Sequence, residues 1–151
     1  MVHWQNTDYQ LVIPWMAVTP ANEAISFYQD VLGVSERTRI EAGGKLIHSE
    51  QMVGDNVIII SDEIPEMGIL SPKTAGGTPV TVWIQVPDSE TVFDKAVKAG
   101  CKPTFPMTTM PYGDRAGGFT CPYGHNWFIA THIEDVSPQE IQRRMQAEPQ
   151  A

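Results

Sequence analysis

Apolar positions along the chain alternate between a two-residue period and a three-to-four-residue period, and the same order occurs twice. Leu11–Val18 reads as a strand. Ala24, Phe27, Tyr28, Val31 and Leu32 then recur at the spacing of an amphipathic helix over Ala21–Leu32, which Gly33 ends. Thr19 is a candidate cap for that helix, and Pro20 suits its first position because it has no N–H to satisfy. Strand-like segments follow at Ser35–Glu41, Lys45–Met52 and Val57–Ser61, with turn chemistry at Gly43-Gly44 and Gly54-Asp55-Asn56.

The second half repeats the order. Val80–Val86 reads as a strand, and Asp88 is a good N-cap for a helix running to Ala99 with Val92, Phe93, Ala96 and Val97 on its buried stripe. Gly100 ends that helix, 67 residues after Gly33. Strands then fit Lys102–Pro106, Gly117–Cys121 and Asn126–His132. The pattern predicts an α+β fold of two tandem βαβββ modules in a single domain over 1–151. Module one covers about 9–63, a Pro/Gly-rich linker about 64–79 and module two about 80–133. Ser137-Pro138-Gln139-Glu140 is a capping box, which predicts a short C-terminal helix over about 138–146. The 65–79 stretch is a candidate lid. Asp62 and Glu63 read as a solvated strand end.

Composition narrows the function. The chain has 151 residues and a formal charge of −8, so non-specific nucleic-acid binding, which needs clustered cations, is a poor fit. The longest apolar run, Val57–Ile60, is far short of the roughly 20 residues that span a membrane. No basic segment followed by an apolar one opens the chain, so a cytoplasmic protein is expected. The two cysteines, Cys101 and Cys121, make neither a disulfide framework nor a zinc site. Cys121 stands near His125, but no nucleophile elbow or phosphate loop accompanies them.

Two phrases carry a family resemblance. Ala24-Ile25-Ser26-Phe27-Tyr28 with Val31-Leu32-Gly33 resembles the first-helix phrase of the vicinal oxygen chelate superfamily of glyoxalases, bleomycin-resistance proteins and extradiol dioxygenases. Tyr112-Gly113-Asp114-Arg115 and Cys121-Pro122-Tyr123-Gly124-His125-Asn126-Trp127 resemble the second-module phrase of its PhnB-like, glyoxalase-like branch, with Cys121 where Asp is usual. The resemblance implies modules curled into an open barrel-like cavity, homodimerisation and a site inside the cavity. In metal-dependent members four side chains, usually His and Glu, hold a divalent ion. The matching positions here are Ile13 (or Pro14), Ile59, Thr81 and Phe128, none of which offers the lone pairs such an ion needs.

On that frame the strand period brings Trp15, Val57, Ser61, Trp83, Gln85, Asn126 and Ala130 inward beside Ile59, Thr81 and Phe128. The aromatic and polar ones, with Ile59, make a candidate binding surface for a hydrophobic or aromatic ligand; equally, the aromatics fill the barrel as core. Arg115 either holds a ligand carboxylate or phosphate, or pairs with Asp114 or a helix end to hold its loop. His48 and Glu50, two apart on one strand, are the fallback metal pair. The leading expectation is a metal-independent small-molecule-binding protein without a cofactor. A glyoxalase- or dioxygenase-like metalloenzyme with a rebuilt site, lyase or isomerase included, and an interaction subunit with a vestigial cavity remain the alternatives.

Overall fold

The computed structural model describes residues 2–147. The chain forms two compact units, Met1–Thr78 and Pro79–Ala151. The first holds β1 (Trp15–Ala17), α1 (Ala21–Leu32), β2 (Ser35–Ala42), β3 (Lys45–Val53), β4 (Asn56–Ser61) and the short α2 (Pro72–Ala75). The second holds β5 (Thr81–Gln85), α3 (Ser89–Lys98), β6 (Lys102–Thr109), β7 (Asp114–Thr120), β8 (Asn126–His132) and α4 (Pro138–Ala147). Each unit has a four-stranded mixed sheet, in the orders β1-β4-β3-β2 and β5-β8-β7-β6. The first strand of each runs parallel to the last, and the other pairs are antiparallel. The βαβββ repeat is therefore present twice.

Each sheet uses one face for its core. In the first unit Met16, Ile58 and Ile60 are buried on the face carrying α1, with Ala21, Ala24, Ile25, Tyr28 and Val31 of that helix. In the second, Ile84, Phe119, Trp127 and Ile129 are buried with Phe93 and Ala96 of α3, and the Phe93 and Phe119 rings meet edge-on at 6.2 Å. Burying each such side chain contributes about 1.5–3 kcal/mol, so these faces hold the units together. The helix stripes differ slightly from expectation. Ile25 replaces Phe27 and Leu32 among the buried residues of α1, and Val92 and Val97 of α3 are partly exposed.

Three local expectations are corrected. The opening strand is three residues long rather than Leu11–Val18, since Leu11 and Val12 are exposed and Pro14 lacks the N–H that pairing needs. Thr19 does not cap α1; the Ala21 amide donates instead to Asp62 Oδ1 at 3.1 Å. Asp62 and Glu63 are accordingly not a solvated end. Asp62 Oδ2 also accepts from the Leu46 amide at 2.8 Å, and Glu63 accepts from the amide and hydroxyl of Ser71. Those bonds, a bridge between Ile64 and Ile69 and the turn of α2 give the 65–79 stretch local structure of its own. β6 outruns its predicted end because its prolines, Pro103 and Pro106, lie on an edge strand where a missing donor costs little. β7 begins earlier than expected, at Asp114.

Candidate functional site

The face of the second sheet away from α3 is aromatic. Register places Trp83 beside Phe128, Phe128 beside Gly118, and Gly118 beside Phe105. The Trp83 and Phe128 rings meet at 5.6 Å and 80°, the edge-to-face geometry that aromatic quadrupoles favour. Phe105 lies 6.3 Å from Phe128, and Tyr112 lies 5.9 Å from Trp83. Trp83 is 55% exposed and Phe105 40%, so within the unit these rings present a surface rather than fill a core. Gly118 makes room for it. A Cβ there would stand 3.0 Å from Thr104 Oγ1 and 3.4 Å from Phe128 Cδ2. Thr81, Gln85 and Asn126 share this face: Thr81 is in register with Asn126, and Gln85 with Ala130. At its end His132 meets the buried Asp114 carboxylate at 2.8 Å and Asp135 at 2.7 Å. Asp135, and then Asp114, raise the His132 pKa above its ordinary value.

The corresponding face of the first sheet is polar. Trp15 is in register with Ile59, and Ile59 with Glu50. The Trp15 indole N–H donates to Ser61 Oγ at 2.8 Å. Glu50 is 4% exposed yet carries three partners: the Tyr9 hydroxyl and His48 Nε2 at Oε1, and Arg37 Nε at Oε2, 2.6 Å away. Burial pushes the Glu50 pKa up, but Tyr9, His48 and Arg37 together outweigh it and hold the carboxyl at about 2. A β-bulge builds this cluster. Glu36 pairs with Gln51 and Thr38 with Glu50, so Arg37 is the extra residue, and Arg37 and Thr38 both oppose Glu50. The segment before β1 lies against it. Arg37 Nη1 donates to the Asp8 carbonyl at 3.0 Å, its guanidinium stands 5.2 Å from the Tyr9 ring centroid, and the Gln10 side chain bonds both the amide and the carbonyl of Val57.

The structure therefore brings Trp15 and Ile59 together on one sheet, and Thr81, Trp83, Gln85, Asn126 and Phe128 together on the other. Register sets the two indoles, rather than Ile13 and Thr81, directly beside Ile59 and Phe128. Arg115 stands apart: it alternates with Gly117 and Phe119 on the face carrying α3, and its guanidinium meets Glu90 in the first turn of that helix at 2.7 Å. Tyr9 and Arg37 escaped sequence reasoning, because Tyr9 precedes any strand and strict alternation cannot show a bulge. Cys101 and Cys121 are buried and form no disulfide, and burial pushes the Cys101 thiol up to about 12, which leaves it a poor nucleophile.

These donors do not fit a divalent ion. Aliphatic side chains, the Phe128 ring and the Thr81 hydroxyl, none of them an imidazole or a carboxylate, occupy the positions the resemblance implies as ligands, and among the described residues no three His, Cys, Asp or Glu side chains converge. His48 and Glu50 do meet, but both Glu50 oxygens are engaged and the Arg37 cation sits where a metal would compete.

Relatives give this geometry its context. An uncharacterised protein of Mycobacterium tuberculosis H37Rv, Rv0887c, is 31% identical over 139 residues, covering 89% of this chain and 82% of that protein. TioX from Micromonospora sp. ML1 superposes with a TM-score of 0.65 at 24% identity, over 82% of this chain and 99% of its own. The fosfomycin resistance protein FosX from Listeria monocytogenes, solved with Mn(II) and sulfate, superposes with a TM-score of 0.61 at 14% identity, over 90% of this chain and 97% of its own. These two likenesses concern the fold. With residues 11–129 matching the family as well, the chain belongs to the glyoxalase/bleomycin resistance protein/dioxygenase superfamily.

Proposed function

We infer that the protein is a metal-independent small-molecule-binding member of its superfamily, of the bleomycin-resistance type, that takes a hydrophobic or aromatic ligand. The observation that carries this reading is the exposed row Trp83–Phe128–Phe105 with Tyr112. Ring faces and edges suit planar apolar molecules, while Gln85 and Thr81 on the same face offer orienting hydrogen bonds, Asn126 being engaged with Thr120 and the Val80 carbonyl. Metal independence is supported by the donor chemistry: Ile59 and Phe128 cannot ligate, and Glu50 is spent on Arg37, Tyr9 and His48. The ligand-bound form is a homodimer in a reducing compartment; buried cysteines that form no disulfide fit such a compartment. No helix among the described residues is long and apolar enough to cross a membrane.

The test combines elemental analysis of the purified protein with a fluorescence titration using 1-naphthol, with and without EDTA. The reading predicts sub-stoichiometric metal, saturable binding that EDTA leaves unchanged, and at least tenfold weaker binding in Trp83→Ala. Stoichiometric metal lost on His48→Ala, or binding abolished by EDTA, would establish the metalloenzyme alternative instead.

A further inference from the structure

The cluster around Glu50 borders an open cavity of about 400 Å³ lined by Asn6, Asp8, Tyr9, Arg37, Thr38 and Glu50. Its lining residues all belong to the first unit. Its lining is polar, and its charges are unequally used. Glu50 is neutralised by Arg37 and bonded at both oxygens. Arg37 spends Nε on Glu50 and Nη1 on the Asp8 carbonyl and also meets the Tyr9 side chain, which still leaves spare donors among the five N–H groups of its guanidinium. The Thr38 hydroxyl and the Asn6 amide nitrogen are likewise unbonded to any described residue, as is the Asp8 carboxylate. One cation with spare donors and one anion with spare acceptors thus border a single cavity, joined through the 3.0 Å bond from Arg37 Nη1 to the Asp8 carbonyl.

A simple anion entering this cavity meets Asp8, and a simple cation meets Arg37. A molecule carrying both charges on neighbouring atoms satisfies both. We propose that this cavity binds a free α-amino acid, its carboxylate on the spare N–H groups of the Arg37 guanidinium and the Thr38 hydroxyl and its ammonium on the Asp8 carboxylate. Guanidinium presents planar paired donors that match a carboxylate, and the bulge fixes them: by setting Arg37 and Thr38 together opposite Glu50, it places two donor side chains at one point of the strand. Glu50 acts as a positioning residue. Buried and ionised, it orients the guanidinium from behind, while Tyr9 ties the segment bearing Asp8 to the same carboxylate. The cavity is large enough to admit a side chain, and its polar lining favours a polar one.

The experiment is isothermal titration of the full chain with L-glutamine, acetate and methylammonium. The proposal expects saturable one-to-one binding of L-glutamine, with acetate and methylammonium at least tenfold weaker. Asp8→Asn and Thr38→Val each lower the L-glutamine affinity at least tenfold at an unchanged melting temperature, since both side chains are exposed and bond no described residue, whereas Arg115→Ala leaves it unchanged. No saturable L-glutamine binding, equal affinity for acetate, or unchanged affinity in Asp8→Asn overturns the proposal. Any of these results leaves the aromatic-face reading standing, because that reading is tested by a different ligand and residue.

Discussion

At matching positions the first sheet carries Trp15, Ile59 and Glu50 in one cross-strand row, and the second carries Trp83, Phe128 and Gly118. The backbone and register are the same; the third position differs most. A carboxylate there gathers Arg37, His48 and Tyr9 and turns the face into a charged network. A glycine in the same place adds no side chain where Thr104 and Phe128 crowd the position, and the face stays aromatic. A duplicated scaffold has thus separated its chemistry by one residue on its third strand. The indole is common to both rows but differs in use: Trp15 is tied to Ser61, while Trp83 meets the Tyr112 and Phe128 rings.

The largest effect expected from breaking this comparison is at Glu50. Glu50→Ala leaves the Arg37 guanidinium, Tyr9 hydroxyl and His48 imidazole without their shared acceptor, and should cost about 2–3 kcal/mol in chemical denaturation, the scale of charged hydrogen bonds. The Phe128→Ala change in the other row removes a half-buried ring, at about 2 kcal/mol, and also removes aromatic-ligand binding. A Glu50 effect no larger than an exposed-surface substitution would mean that the network contributes little.

The two faces also diverge with pH. Glu50 has a folded pKa of about 2 against an ordinary 4.5, so its contribution is complete above 4.5 and is lost as pH falls toward 2. His132 is shifted upward from 6.5, so its contribution is complete below 6.5 and is lost as pH rises through its folded value. Hydrogen exchange should therefore show β3 loosening first on acidification and the end of β8 loosening on mild alkalinisation. The same response from both strands at one pH would contradict separate clusters. The smallest effect is at Arg115: its exposed, solvent-screened pair with Glu90 predicts no resolvable loss of stability for Arg115→Ala and no change in ligand affinity.

Much of the fold was legible in the sequence because it rests on periodicity. α1 and β8 have the predicted bounds, and the βαβββ order occurs twice as expected, although Ala99 rather than Gly100 caps α3. Legibility failed where backbone detail decides. Pro14 shortened β1, and Asp62 took over the cap assigned to Thr19 through a contact 41 residues distant, which no local pattern records. At the site, alternation grouped Thr81, Trp83, Gln85, Asn126 and Phe128 on one face, since strand period is a local property. Arg115 was placed by the helix it meets, and Arg37 by a bulge; neither follows from period alone.

The most direct test follows the four indole N–H resonances, of Trp4, Trp15, Trp83 and Trp127, during titration with 1-naphthol in the absence of added metal. Single Trp→Phe substitutions assign the signals. The account predicts that the Trp83 resonance shifts saturably, while that of Trp15, already bonded to Ser61, stays in place. A shift at Trp15 with none at Trp83, or shifts that require an added divalent ion, would contradict it.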